Sequence, residues 1–174
     1  MIEKRGQIWI ETVIYTLIAL VLIGVVLSVI VPKIQEIQDG MIIEKLVEAL
    51  EDINLKLIEM NEVPGNQRTI EIKVEKGLMK IDGINNKIFF EIETRKTYSQ
   101  PGKDVEIIGG VMAHTEKSGK YNIVTLTSNY SGKYDIQYQG KDEIKSLTKA
   151  SIPYKLKIIN KEGTTTPIID IETV

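Results

Sequence analysis

The chain has 174 residues, of which 26% are charged, and its formal net charge is −2 at pH 7. This length accommodates one domain with a sizeable core and an attached helix. The sequence has no cysteine, which excludes disulfides and thiolate chemistry, and it has no basic patch with interleaved aromatic residues, which argues against nucleic acid as a partner.

The charges divide the chain into three blocks. Residues 1–32 carry two acids and two bases, all within the first eleven positions. Residues 33–63 carry eight acids and three bases, whereas residues 64–174 carry seventeen bases and fourteen acids. An apolar block is thus followed by an acidic block and a mildly basic remainder.

The apolar run from Thr12 to Val31 is twenty residues long and contains no charge. At about 1.5 Å per helical residue it spans roughly 30 Å, the thickness of the hydrocarbon core of a bilayer. The apolar region of a secretory signal peptide usually has about 7–15 residues and ends at a small-residue cleavage site, and residues 27–32 provide no such site. We therefore expect a transmembrane helix that is retained in the mature protein.

Basic residues flank this run on both sides. Lys4 and Arg5 precede it, whereas Lys33 lies beyond it and is close in sequence to Glu36 and Asp39. The positive-inside tendency therefore predicts a cytoplasmic N-terminus and an extracellular position for the bulk of the chain.

Helical periodicity continues after the apolar run. Pro32 removes one backbone hydrogen bond, so we expect it to bend or interrupt the helix. The segment N-E-V-P-G-N at residues 61–66 is a strong stop signal. We predict one long helix, or two collinear helices, over residues 8–61. The apolar stripe on its second half comprises Leu46, Leu50, Ile53, Leu57 and Met60, and Ile34, Ile37 and Met41 extend it towards the N-terminus.

Beyond residue 66, apolar and polar residues alternate, and β-branched and aromatic types are frequent, as half-buried strands require. Turn signals such as D-G at 82–83 separate these segments. The sequence therefore predicts an α+β protein, in which the second half of a long N-terminal helix packs on an antiparallel β-sheet or small β-sandwich head. The predicted strands cover residues 69–75, 87–94, 120–127, 133–139 and 153–159.

The head offers little that points to catalysis. His114 is the single histidine, so a histidine-based zinc site has too few ligands within one chain unless carboxylates complete it, and we interpret it as an exposed strand residue. No phosphate-binding or nucleophile-elbow motif occurs. We expect no catalytic site, metal or cofactor. The tripeptide N-Y-S at 129–131 fits a glycosylation acceptor, which makes Asn129 a candidate for modification.

Glu11 is the unusual residue of the apolar block, because a carboxylate inside a membrane helix is costly and usually has a partner. In one interpretation it lies at the membrane boundary and contacts headgroup water. A second interpretation comes from the string K-R-G-Q-I-W-I-E at residues 4–11. A basic tip, a glycine, a glutamine and an acid four positions later lead into a retained hydrophobic helix. This N-terminus resembles that of archaeal type IV pilin-like proteins, which carry a class III signal peptide.

The resemblance implies that a prepilin peptidase recognises Lys4 and Arg5 in the leader and cuts between Gly6 and Gln7. It also implies that Glu11 neutralises the new amino terminus, within the chain or on a neighbouring subunit. Two opposite charges in low dielectric cost far less as a pair than alone. The helix would then leave the membrane lipid, with the help of the pilus assembly machinery, and form the core of a homo-oligomeric helical filament.

Four parts follow from this interpretation. They are a basic leader at 1–6, a transmembrane and filament-core helix at 7–32 with a kink at Pro32, an amphipathic helix at 33–63 and a β-rich extracellular head at 64–174.

The predicted function is that of a non-enzymatic structural subunit of a type IV pilus-like surface filament. The precursor would be a membrane protein, and the assembled subunit would be extracellular. Two alternatives remain: a single-pass membrane-anchored extracellular binding protein that does not polymerise, and a membrane-tethered enzyme. The filament subunit needs leader cleavage and a role for Glu11, whereas the anchored binding protein needs neither.

Overall fold

A computed structural model describes residues 3–61, 64–163 and 165–174, with side chains of the N-terminal helix described from Trp9 onwards. Over this part of the chain one helix precedes ten strands, which confirms the predicted α+β class with a long N-terminal helix and a sheet head. The elements are α1 (Glu3–Met60), β1 (Gln67–Ile72), β2 (Leu78–Asp82), β3 (Lys87–Thr94), β4 (Asp104–Glu106), β5 (Val111–Ser118), β6 (Tyr121–Asn129), β7 (Asp135–Tyr138), β8 (Ile144–Thr148), β9 (Tyr154–Lys161) and β10 (Ile168–Thr173).

The chain forms two compact units, Met1–Gln38 and Asp39–Val174, and the division falls within α1. The helix is assigned without a break across Pro32, which confirms one long helix and excludes an interruption there. A bend at Pro32 stays a prediction. The second unit, called the head below, therefore includes the C-terminal part of α1 as well as all ten strands.

Within the head, α1 buries one face. The five predicted stripe residues are all buried, but the predicted extension is wrong, since Ile34, Ile37 and Met41 are 48%, 63% and 56% exposed. Ile34 and Ile37 belong to the other unit, and Met41 lies five positions before Leu46, which turns it away from the buried face. The main row of buried positions instead alternates in steps of four and three, and Gly40 and Val47 are buried beside it. This row comprises Asp39, Ile43, Leu46, Leu50, Ile53, Leu57 and Met60.

The strands form two sheets. One has four strands in the order β1-β9-β10-β7, and the other has six in the order β4-β5-β6-β3-β2-β8. All neighbouring pairs are antiparallel except β7 and β10, which are parallel. The prediction of an antiparallel head is thus correct for the larger sheet, whereas the smaller sheet is mixed.

A single hydrophobic cluster joins α1 and both sheets. Strands β3 and β6, in the middle of the larger sheet, alternate strictly between buried and less buried side chains along most of their length. Phe90 of β3 and Leu50 of α1 are completely buried. Each large apolar side chain buried in this way contributes about 1.5–3 kcal/mol to folding.

Polar contacts show how α1 runs over the larger sheet. Asp39 contacts Thr94, the last residue of β3, whereas Asn54 contacts Tyr130 just after β6, whose last residue pairs with the first residue of β3. The head segment of α1 therefore runs antiparallel to β3. Fifteen helical residues rise about 22 Å, which matches the length of an eight-residue strand.

Candidate functional site: the apolar part of α1

The N-terminal unit presents an extensive apolar surface. Every residue from Trp9 to Val31 is exposed, and the most apolar 18-residue window of α1 has a mean hydropathy of 2.9 with none of it buried. Soluble monomers rarely expose a contiguous apolar surface of this size. Among the described residues, α1 is the one helix long and apolar enough to cross a membrane, which points to membrane association.

Hydroxyl groups within this surface bond to the helix itself. The Thr16 hydroxyl donates to the carbonyl oxygen of Thr12 at 2.8 Å, and the Ser28 hydroxyl donates to the carbonyl oxygen of Val25 at 2.7 Å. Side chains that bond back to the preceding turn add no unsatisfied donor to a hydrocarbon environment. The hydroxyl groups of Thr16 and Ser28 are therefore compatible with a hydrocarbon environment.

Glu11 is the one charged residue between Trp9 and Val31, and it lies near the start of the apolar surface. A shallow recess begins at the next residue and is almost entirely apolar. Its lining includes Thr12 and Thr16, four positions apart, and small residues at this spacing let two membrane helices approach closely. Glu11 therefore lies next to a surface of α1 against which a second helix can pack. The recess is lined by Thr12, Val13, Thr16, Leu17 and Leu20.

The predicted processing site falls on residues whose side chains lie outside the described part of the chain. These are Lys4, Arg5, Gly6 and Gln7. Leader recognition and cleavage between Gly6 and Gln7 therefore stay predictions.

Asp39, the first residue of the head, is a polar site that the sequence did not single out. It is 5% exposed, and its carboxylate accepts hydrogen bonds from Lys76 Nζ at 2.6 Å, the Arg95 N–H at 2.9 Å and Thr94 Oγ1 at 3.0 Å. Burial by itself raises the pKa of this carboxyl, but these hydrogen bonds and the charge of Lys76 outweigh it, so the pKa lies below its ordinary value of 3.8. The ionised carboxylate fastens the start of the buried helix face to the end of β3.

The other residues singled out from the sequence lie in the head. His114 lies on β5 with 40% of its side chain exposed, and its Nδ1 is 2.7 Å from Asp104 Oδ1 on the neighbouring strand β4. Asn129 is exposed at the end of β6, where its Oδ1 accepts a hydrogen bond from the Ser131 N–H at 3.0 Å. Within residues 9–61, 64–163 and 165–174, no group of three or more acids or histidines is placed to hold a metal ion.

No protein-family model, curated protein or solved structure matches the chain.

Proposed function

We propose that the chain is a structural subunit of an archaeal type IV pilus-like surface filament, assembled through α1 after removal of a short leader. The continuity of α1 carries this proposal. One helix combines an exposed apolar part, Trp9–Val31, with a part from Asp39 onwards that is built into the core of a β-rich head. Such a helix can exchange lipid for the apolar surfaces of neighbouring subunits while its head stays folded.

The precursor is held in the membrane with its N-terminus in the cytoplasm and its head outside, as the basic residues Lys4 and Arg5 favour. A prepilin peptidase cuts between Gly6 and Gln7, so the mature chain begins just before the apolar surface and keeps it intact. The assembly machinery then transfers the subunit from the membrane to the filament.

Two features of the described helix support packing against other copies. Thr12 and Thr16 line the recess at which a second helix can approach closely. Glu11, next to this recess, supplies a charge for the amino terminus that cleavage creates. Because a buried ion pair penalises every arrangement that separates its members, the pair fixes the register of helices that would otherwise slide along smooth aliphatic surfaces.

A membrane-anchored binding protein that does not polymerise is the second candidate. It is favoured by a cleft in the head near Tyr130 and Tyr134, and it requires no cleavage at Gly6.

The mature N-terminus tests the proposal. Intact-mass analysis of the full chain, produced together with an archaeal prepilin peptidase, should give a protein that begins at Gln7 and lacks six residues. Gly6→Leu should leave the uncut precursor in the membrane. Gly24→Ala is the matched control, since a Cβ at Gly24 meets no atom within 4 Å, and it should be cut normally. A mature protein that starts at Met1 or beyond Val31 would contradict the proposal, and a cut subunit that forms no filaments by electron microscopy would favour the anchored binding protein.

A further inference from the structure

The head contains a cleft between α1, the turn that joins β4 to β5, and the loop after β6. It offers about 120 Å³ of space to a ligand. An engineered apolar cavity of about 150 Å³ binds benzene, so the cleft has room for a single small ring. The residues that line the cleft come from three separate segments of the sequence, so no single sequence motif predicts the cleft.

Hydrogen bonds fix the walls of this cleft. The Tyr130 hydroxyl donates to Asn54 Oδ1 at 2.6 Å, and Asn54 Nδ2 donates to the Gly109 carbonyl oxygen at 2.9 Å. Asn54 thus ties the β4–β5 turn and the loop after β6 to α1. Gly109 and Gly110 have φ values of 61° and 79°, a backbone conformation that other residues rarely adopt. The cleft is therefore formed before any ligand arrives, which lowers the entropic cost of binding.

The lining combines an aromatic surface with polar groups. The rings of Tyr130 and Tyr134 lie 6.2 Å apart at 57°, and Tyr134 is partly exposed in the cleft. Ser128 also lines the cleft with its hydroxyl buried. That hydroxyl lies beside the Tyr130 phenol and opposes the rise in the pKa of Tyr130 that burial causes, but it makes no hydrogen bond of good geometry with any described residue. Because this hydroxyl is fully buried, the polar groups that a ligand can reach belong to the other lining residues.

The positive charge of Lys133 favours an anionic ligand in the cleft. Lys133 is one of the lining residues, is exposed, and forms no ion pair with any residue in the described part of the chain. The Asn129 side chain lines the cleft too, with its Oδ1 engaged by the Ser131 N–H. A sugar ring presents an apolar C–H face and an edge of hydroxyls, which match an aromatic surface beside amide, hydroxyl and ammonium groups.

We propose that this cleft binds one sugar residue, and that Lys133 makes an acidic sugar the preferred ligand. The same sugar chemistry can come from two sources: a glycan attached to Asn129, or a saccharide on another molecule. The proposed site is independent of polymerisation, and its failure would leave the mature N-terminus and filament formation unchanged.

Binding of free sugars tests the second source. The full chain is produced without glycosylation, held in detergent micelles, and titrated with methyl glucuronide and methyl glucoside by saturation-transfer NMR. Both sugars should bind, and the glucuronide should bind at least threefold more tightly at low salt. Lys133→Gln should abolish this difference. Tyr134→Ala should weaken both sugars at least tenfold, whereas Tyr134→Phe, which keeps the aromatic face, and Tyr121→Ala, which lies on β6 outside the cleft, should not.

The first source, a glycan attached to Asn129, is tested with the full chain produced in cells that glycosylate N-x-S/T sequences. Ser131→Ala removes the acceptor, and Ser131→Thr keeps it. Intact mass should show a glycan at Asn129 in the wild type and in Ser131→Thr but not in Ser131→Ala. Because Ser131→Ala also removes the hydrogen bond from the Ser131 hydroxyl to the Asn85 carbonyl oxygen, stability is compared within one sequence, and the glycosylated wild type should melt a few degrees above the same chain produced without glycosylation. In a Tyr134→Ala background this difference should disappear.

Binding of free sugars would indicate a saccharide on another molecule as the ligand, and a stabilising effect of the glycan that depends on Tyr134 would indicate the glycan on Asn129. The proposal is overturned if free sugars do not bind and the glycan adds no stability that depends on Tyr134. It is also overturned if sugar binding is insensitive to Tyr134→Ala while circular dichroism shows the variant to be folded.

Discussion

Asp39 and Lys76 are 37 positions apart, and the Lys76 ammonium donates a 2.6 Å hydrogen bond to the Asp39 carboxylate. The other carboxylate oxygen accepts hydrogen bonds from Thr94 Oγ1 and the Arg95 N–H. A charge at a position only 5% exposed is tolerable because these donors replace water. The first residue of the head is therefore fastened to the end of β3 and to the β1–β2 connection.

Removal of this carboxylate should destabilise the head. Asp39→Ala leaves the Thr94 hydroxyl and the Arg95 N–H without their acceptor, and unsatisfied buried donors of this kind cost about 1–3 kcal/mol each. We expect the free energy of unfolding of the head to fall by about 2 kcal/mol or more, as measured by urea unfolding of the full chain followed by circular dichroism. Glu36→Ala is the control, because it breaks a pair whose side chains are 72% and 40% exposed, and its effect should stay within about 0.5 kcal/mol. Equal effects of the two substitutions would refute the anchoring role of Asp39.

The pH dependence of stability follows from the lowered pKa of Asp39. A carboxyl whose pKa is lower in the folded than in the unfolded state releases its proton more easily when folded, so its contribution to stability is complete above the unfolded value. That contribution should be lost as the pH falls below about 4 and through the folded pKa. Urea midpoints measured from pH 7 to pH 2 should decrease in this window. In Asp39→Asn the decrease should be smaller, and an unchanged slope would contradict the assignment.

The sequence predicted those parts of the fold that depend on local periodicity. The stripe from Leu46 to Met60 is buried as expected, and the predicted strand at 87–94 coincides with β3. By contrast, β5 is not among the five predicted strands, although His114 is interpreted as a strand residue, because its inward positions include Ala113 and Thr115, which give a weak apolar signal. Its strand conformation depends on pairing with β4 and β6. The strands β2, β4, β8 and β10 were also missed.

Contacts between distant segments could not be predicted from the sequence. Asp39 looks like one more acid of a solvated helix face, since its partners lie 37 and 55 positions away. The cleft in the head likewise joins three segments, and the link from Asn54 to Tyr130 spans 76 positions. The parallel pairing of β7 and β10 depends on the path of the intervening chain and has no local signal.

Substitution by alanine should change the free energy of unfolding in opposite directions at two glycines, Gly77 and Gly40. A Cβ at Gly77 would lie 2.1 Å from the carbonyl oxygen of Glu91, and φ is +76°, so Gly77→Ala forces the backbone of β3 to move. We expect a loss of about 2 kcal/mol or more in the free energy of unfolding. A Cβ at Gly40 would lie 2.6 Å from Nζ of Lys96, the end of a flexible side chain. Gly40→Ala should therefore gain up to about 1 kcal/mol from helix propensity. Urea unfolding of both variants checks this, and a larger loss for Gly40→Ala than for Gly77→Ala would contradict it.

Deletion of the apolar part of α1 should leave a folded, soluble protein. Residues 39–174 form a compact unit with its own core, so a chain that begins at Lys33 keeps the whole buried helix face. Circular dichroism should show strands with a shorter helix, and gel filtration should show a monomer. A deletion through Leu46 is the comparison, because it removes Asp39 and Ile43 from that face and should lower the melting temperature or prevent folding. An insoluble chain from Lys33 would place the boundary elsewhere.

Glu11 decides whether the apolar surface of α1 serves assembly or only anchoring. Glu11→Gln removes the charge and keeps the shape of the side chain. If Glu11 pairs with the amino terminus of Gln7, the substitution leaves a cationic amine without its anion among apolar helices, which strongly disfavours the assembled state. Membrane insertion should not suffer, because an amide is cheaper to bury than a carboxylate, and cleavage should persist because Gly6 and the basic tip are unchanged.

The expected phenotype of Glu11→Gln is a processed, membrane-held subunit with few or no filaments by electron microscopy. Production together with the wild-type chain should restore part of its incorporation, since one member of each pair can come from a neighbouring subunit. Glu36→Gln, which changes a partly exposed acid further along α1, should assemble normally and controls for the loss of any acid from the helix. Filaments of normal number and stability from the Glu11→Gln chain alone would rule out the pairing role, and contact of Glu11 with headgroup water would then account for an acid at this position.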